Sequence, residues 1–271
     1  MGPASPLTPQ GRAPDRAGRA LSLPRTVEEQ VATAAAAVLT AYRDGVRTQI
    51  VELLLPAPGV ALRGSVELGI WPGGIQQQFK VALPMVQALL QNVKRSDPSL
   101  AGRMVPSFID ESDAVASWAG PTFTAVLFPT GDALPEVRRS LASVSDSSGL
   151  GLLVNPQWVL TGNLFSEFSF GARGKENEEF VSGLGEETYY LAQKRIAGRT
   201  LRVFRSYPGR WFVFTFDEVR GKTAEPLLLS VEEHKPGYGR LAELAEESRR
   251  LYPEGSWLRR VMGDKGGGKG G

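Results

Sequence analysis

The sequence predicts an α/β fold: one domain with a largely parallel or mixed central sheet, flanked by helices and completed by a C-terminal antiparallel hairpin. Three observations predict it. From Thr26 to Pro156, helical and strand-like segments alternate, the order that lays helices over a sheet. The strand-like segments, such as IVELLL and TAVLF, are apolar without alternation, as strands covered on both faces are. Near the end, RSYPGRWFVF sets a Tyr-Pro-Gly-Arg turn before an aromatic run, a hairpin pattern.

The elements follow in order. Thr26 and Glu29 form an S/T-x-x-E capping box, in which each side chain satisfies a backbone donor near the other. Val27, Val31, Ala34, Ala35, Val38 and Tyr42 then recur at helical spacing, and Gly45 is a natural stop, which predicts a helix over Val27–Asp44. TQIVELLLP, Thr48 to Pro56, reads as a buried strand. Pro72 and Gly73-Gly74 open a second helix, with Ile75, Phe79, Leu83, Val86, Leu90 and Val93 on its apolar face. Pro84 is expected to break or kink it, because proline lacks the donor.

Two strands are expected at Arg103–Ile109 and Thr122–Pro129, the second ended by a Pro-Thr-Gly turn. Leu134, Val137, Leu141 and Val144 predict a helix over Ala133–Val144, and GLGLLVNP, Gly149 to Pro156, another strand. Glu176–Ala192 reads as a helix carrying Phe180, Leu184 and Leu191, weakened by Gly183 and Gly185. Thr200–Ser206 and Trp211–Phe216 make the hairpin, with Pro208 and Gly209 at the centre of a type II turn. Pro226–Val231 is a further strand, and Gly239–Leu251 a closing helix with Leu241, Leu244, Ala245 and Ser248 on one side.

Composition bounds the function. The 271 residues carry 31 basic and 29 acidic side chains, a formal charge of +2, unlike the basic footprint of a dedicated nucleic-acid binder. No apolar run is long enough to span a bilayer. There is no cysteine, which removes thiolate metal sites and cysteine nucleophiles, and one histidine, His234, in a charged approach to a turn with no partner motif around it. The first 25 residues hold Arg12, Arg16, Arg19 and Arg25 against Asp15 alone and lack an apolar h-region; that is transit-peptide composition, or a plain disordered tail. The expected organisation is a disordered transit-type segment at 1–20, an α/β domain at 21–262 and a flexible Gly/Lys tail at 263–271.

Catalytic motifs are missing. Gly263, Gly268 and Lys269 match part of a phosphate loop, but Gly270 stands where Ser or Thr belongs, with no strand before or helix after. No G-x-S-x-G or H-E-x-x-H occurs, and the G-x-G-x-x-G spelled by Gly266, Gly268 and Gly271 lies in the same tail with no strand before or helix after, so no cofactor, metal or catalytic residue is expected.

The candidate binding residues fall into two groups. Thr130, Gly131 and Asp132 follow one strand, and Asn155 and Gln157 another, where parallel sheets bind ligands. Arg205 and Arg210 have the chemistry for phosphate, with Trp211 beside them. Each has a structural alternative. Asp132 caps a helix, Asn155 before Pro156 makes a turn, the arginines are solvated hairpin residues and Trp211 is core.

The stretches LPRTVEEQVATAAAAVLTAYRDGVRTQIVELLLP, VLFPTGD, LLVNPQW and RVFRSYPGRWFVF, in this order, resemble the DUF1995 family of plants, algae and cyanobacteria, over about Leu21 to Val261. The resemblance implies no common reaction and no catalytic residues. Some plant members are chloroplast proteins that assist photosystem II accumulation together with membrane-insertion machinery, and another plastid protein joins such a domain to an adenylate kinase. The expectation is therefore a non-enzymatic chloroplast factor, in the stroma or at the thylakoid surface, that binds photosystem subunits or insertion machinery. Two alternatives stand beside it: an enzyme or sensor for a nucleotide or phosphorylated small molecule at the strand carboxyl ends, and an RNA- or ribosome-associated protein using the arginines and aromatics of 199–211.

Overall fold

The computed structural model describes residues 22–57, 71, 73–145, 149–159, 179–216 and 226–251, and a short backbone pairing of Ala13–Pro14 with Ala20–Leu21. Apart from that pairing, the expectations for 1–20 and 263–271 lie outside the described residues.

Helix α1 spans Val27–Arg43, and its cap carries a variation on the expected box. Thr26 Oγ1 accepts from Glu29 N–H at 3.1 Å, while the Glu29 carboxylate reaches one residue further back, to Arg25 N–H at 2.7 Å. Gly45, at φ +92°, ends the helix, and Val46 N–H closes onto Ala41 C=O at 2.9 Å. Strand β1 is Thr48–Glu52. Helix α2 runs unbroken over Ile75–Ser96 with Pro84 inside it, so proline does not end the helix. Pro84 and Lys80 both lie on the exposed side, where the carbonyl that loses its donor faces water. The opposite face, Phe79, Ala82, Met85, Val86, Leu89, Leu90 and Val93, is buried and holds the helix against α1.

Strands β2 (Val105–Asp110), β3 (Val115–Ala119) and β4 (Phe123–Leu127) form a meander, and helix α3 (Leu134–Ser145) leads to β5 (Leu150–Val154). The strand VASWA, β3, was not anticipated. Strand β6 is Glu186–Ile196, where a helix was expected; only residues 179–183 of that stretch are helical among those described. Strands β7 (Arg199–Ser206), β8 (Trp211–Phe216) and β9 (Pro226–Glu232) and helix α4 (Tyr238–Leu251) complete the fold.

The nine strands form one mixed sheet in the order β9-β8-β7-β6-β1-β5-β4-β3-β2. The central four, β6, β1, β5 and β4, are mutually parallel, and the five outer strands are antiparallel. Helices α1 and α2 cover one face over a core that includes Val51, Leu152, Tyr189, Phe204 and Phe214. On the other face, α3 lies over β4 and β5, and α4 over β6, β7 and β9. Leu153 and Val126 face α3, whereas Tyr190, Val203 and Trp211 face α4.

The hairpin between β7 and β8 is present, but its turn differs from the type II expectation. The Tyr207–Pro208 peptide is cis, and Gly209 N–H donates to Ser206 C=O at 2.8 Å. Pro208 therefore holds the third position of a type VI turn, and Gly209 has no positive φ. A second hairpin, β6–β7, turns on Ala197 and Gly198 at φ +50° and +81°, the type I′ pattern that matches strand twist.

Candidate functional site

The strand order separates the candidate residues into two places. Thr130, Asp132, Asn155 and Gln157 stand at the carboxyl ends of β4 and β5. Arg205 and Trp211 stand level with them, because Arg205 pairs with Tyr190 and Tyr190 with Glu52, the last residue of β1; but they lie on β7 and β8, with β6 and β1 between them and β5, and Arg210 precedes β8. They do not form one site.

At the carboxyl ends, β4 and β5 both finish on residues in the left-handed region: Phe128 at φ +53° and Asn155 at φ +48°. Asparagine tolerates that conformation; a buried phenylalanine adopts it only where the surroundings enforce it. Phe128 N–H donates to Val154 C=O at 2.9 Å, and Gln157 N–H to Pro129 C=O at 3.0 Å, which locks the two loops side by side. Asn155 is committed to β1. Its Oδ1 accepts from Leu53 N–H at 2.9 Å and its Nδ2 donates to Leu53 C=O at 2.7 Å, so the amide extends the ladder past the strand end. Gln157 Nε2 donates to Asn155 C=O at 3.1 Å, and Asp132 is exposed at the start of α3. The Thr130 hydroxyl oxygen is buried and makes no hydrogen bond to a described residue.

Across the sheet on β7, Arg205 is internal wiring. Its Nη2 donates to Glu186 Oε1 at 2.5 Å, Nη1 to Glu187 C=O at 2.6 Å and Nε to Gly209 C=O at 3.2 Å. The guanidinium stands 5.4 Å from the Trp211 ring centroid. Trp211 is core, packed edge-on against Tyr190 at 5.2 Å. Arg210 pairs with Glu233 at 3.3 Å on the surface. The Arg/aromatic pattern of 199–211 turns inward as well: Arg199 and Arg202 are buried, and burial lowers the Arg202 pKa to about 10. A surface for RNA would need these groups outside.

Sequence reasoning missed a third cluster. Glu52, the last residue of β1, pairs in register with Tyr190, and both side chains point to the face between α3 and α4. Burial pushes the Glu52 carboxyl up to about 8, with Glu187 adding in the same direction and Lys235 and Lys194 opposing. Lys235 binds Glu187 and sits 4.4 Å over the Tyr190 ring and 5.6 Å from that of Trp211. Tyr190 is raised as well, chiefly by burial. The signal was legible: Glu52 is the one charged residue in IVELLL, an otherwise apolar strand sequence. His234, exposed beside Lys235, takes no part among the described contacts.

The sheet also has one unusual border. Among the described residues, strand β2 pairs only with β3, and Val105, Pro106, Ser107 and Phe108 are all exposed. Val105 keeps 55% of its surface and Phe108 51%, although the Phe108 ring touches Phe79 of α2 at 5.4 Å between centroids. Pro106 has no N–H, so its pairing with Trp118 is of the non-hydrogen-bonded kind. Alternation then turns the backbone of Ser107 toward β3 and that of Phe108 outward. The border thus offers the Pro106 carbonyl and both backbone groups of Phe108, flanked by exposed apolar side chains.

Among the described residues, no group of three His, Cys, Asp or Glu is placed to hold a metal, and no helix is long and apolar enough to cross a membrane. The family model described as a domain of unknown function, DUF1995, matches residues 24–243, most of the chain. No curated protein and no solved structure matches the chain.

Proposed function

The chain belongs to the DUF1995 family, and on that premise we propose that it is a non-enzymatic, protein-binding factor of the chloroplast that assists the assembly or accumulation of photosynthetic complexes, photosystem II in particular. The observation that supports protein binding is the border strand β2. A strand paired on one side, with Val105 and Phe108 half exposed, is a ready template for an added strand from another polypeptide, with main-chain hydrogen bonds for affinity and side-chain contacts for selectivity. The pairing of Arg205 with Glu186 and of Arg210 with Glu233 favours this reading over a phosphate site at the hairpin. The plastid setting rests on the Arg-rich, acid-poor composition of the first 25 residues and on the family resemblance.

The test is photo-crosslinking in intact chloroplasts. A photoreactive side chain replaces Phe108 in one variant and Glu247, exposed on α4, in another. The expected result is capture of photosystem subunits or membrane-insertion machinery from position 108 and not from position 247. Capture of neither class at position 108 rejects the reading.

A second reading has one specific observation in its favour. The buried, unpartnered Thr130 hydroxyl, beside two left-handed strand ends, suits a small ligand at the carboxyl ends of the parallel strands. A thermal-shift screen against nucleotides and sugar phosphates tests it. A ligand at 100 times its dissociation constant would stabilise the fold by about 2.7 kcal/mol.

A further inference from the structure

We propose that β2 pairs with β2 of a second copy of this chain, antiparallel about a two-fold axis, to join two nine-stranded sheets into one. The inference rests on the reading of β2 as a docking strand: the second copy holds the border at rest, and a photosynthetic partner displaces it.

Charge is the first argument. Arg103, just before β2, is exposed and makes no ion pair with a described residue. At the other end lie Asp110, Glu111 and Asp113. Hydrogen bonds from the Ser112 hydroxyl and from the Ser112 and Asp113 backbone hold the Asp110 pKa below its ordinary value, so it stays ionised. An isologous two-fold contact is antiparallel for a strand on itself, so the cationic end of each copy meets the acidic end of the other. A parallel arrangement would set like charges together.

Register is the second argument. With the axis at Ser107, Phe108 of one copy lies opposite Pro106 of the other. Each Phe108 N–H then meets a Pro106 carbonyl, and the donor that proline lacks is the only ladder bond missing from that pair. The Phe108 ring covers the proline ring on the α2 face of the sheet, and Arg103, ahead of the strand, comes to the end of the other copy where the bulge at Ile109 leads into the acidic turn at Glu111. A six-residue contact is small, so the association should be weak and salt-sensitive.

Sedimentation velocity on the full chain, from low to high micromolar, tests this. Wild type should approach twice the monomer mass at the upper end, and dissociate more readily as salt rises from about 0.05 to 0.5 M. Phe108→Glu and Arg103→Glu should both remain monomeric, with thermal melts unchanged to show that they fold. Arg103→Glu combined with Glu111→Arg should dimerise again, a rescue that a merely structural effect would not give. A wild type that is monomeric throughout, or a dimer indifferent to Phe108→Glu, overturns the proposal. The docking reading fails separately: it falls if position 108 captures no chloroplast partner, whatever the mass in solution.

Discussion

Asn155, at the end of β5, grips the backbone of Leu53 beside it with both ends of its amide, at 2.9 and 2.7 Å. Strand β1 is only five residues long, and this clasp continues its pairing with β5 beyond the last ladder bond. Asn155→Ala leaves a buried N–H and C=O of Leu53 unsatisfied, and alanine also tolerates φ +48° less well. The expected cost is about 2–4 kcal/mol in chemical denaturation. Asn155→Gly, relieved of the φ penalty but not of the lost bonds, should fall between wild type and alanine.

Arg205 ties the start of β6 to the β7–β8 turn through three hydrogen bonds, from a side chain only 15% exposed. Arg205→Ala should cost about 2–3 kcal/mol of stability, because two carbonyls and a carboxylate lose their donor. Arg205→Lys should recover only part of this, since an ammonium cannot reproduce the forked geometry. Equilibrium unfolding of both variants reads it out; an unchanged midpoint would return Arg205 to the pool of binding candidates.

Glu52 makes stability depend on pH. Its folded pKa is raised to about 8 from the ordinary carboxyl range. Across that window the folded chain holds a proton that the unfolded chain has released, so stability falls as pH rises and levels off above about 8. Glu52→Gln removes this dependence. It should match wild type near pH 4 and be more stable at pH 8.5 by an amount on the order of 2 kcal/mol, discounted for the carboxyl's partial exposure. Melting curves of the two proteins across pH 4–9 would show the gap opening with pH, or its absence.

Gly185, just before β6, is packed against the β1 backbone. A Cβ there would lie 1.8 Å from Thr48 C=O, and φ is +25°. Gly185→Ala should therefore push β6 off β1 and cost at least about 3 kcal/mol, more than a surface glycine substitution could. Gly198→Ala, with open space around it and only the φ penalty, is the control; it should lose about 1 kcal/mol.

Thr130→Val removes a buried hydroxyl that has no described partner and keeps the shape. Without ligand it should be neutral or stabilise the fold by up to about 1 kcal/mol. Any thermal shift that a nucleotide or sugar phosphate gives the wild type should disappear in the variant if the strand ends bind it.

The capped first helix, the buried strands β1, β4 and β5, and the β7–β8 hairpin were all legible in the sequence. Each is written in short-range chemistry: Thr26 and Glu29 three residues apart, Gly45 at a helix end, unbroken apolar runs. Other features depended on what lies beside them in space. EETYYLAQKRI has residues that suit a helix, but β1 on one side and β7 on the other offer a complete ladder, and β6 takes it. VASWA is short and small, and becomes β3 because β2 and β4 pair with it. Pro84 continues a helix because its missing bond faces water.

The candidate site divides along the same line. That Thr130, Asn155 and Gln157 follow parallel strands is local information, and the sequence by itself determined it, along with the family and the α/β class. Whether those side chains are free is not local. Asn155 is occupied because Leu53, about a hundred positions earlier, ends its strand alongside, and Arg205 because β6 starts with two glutamates beside the turn. The raised pKa of Glu52 and the open border at β2 were likewise decided by the tertiary structure alone. Desolvation depends on which strands and helices close over a residue, and an edge exists only once the order of the whole sheet is set.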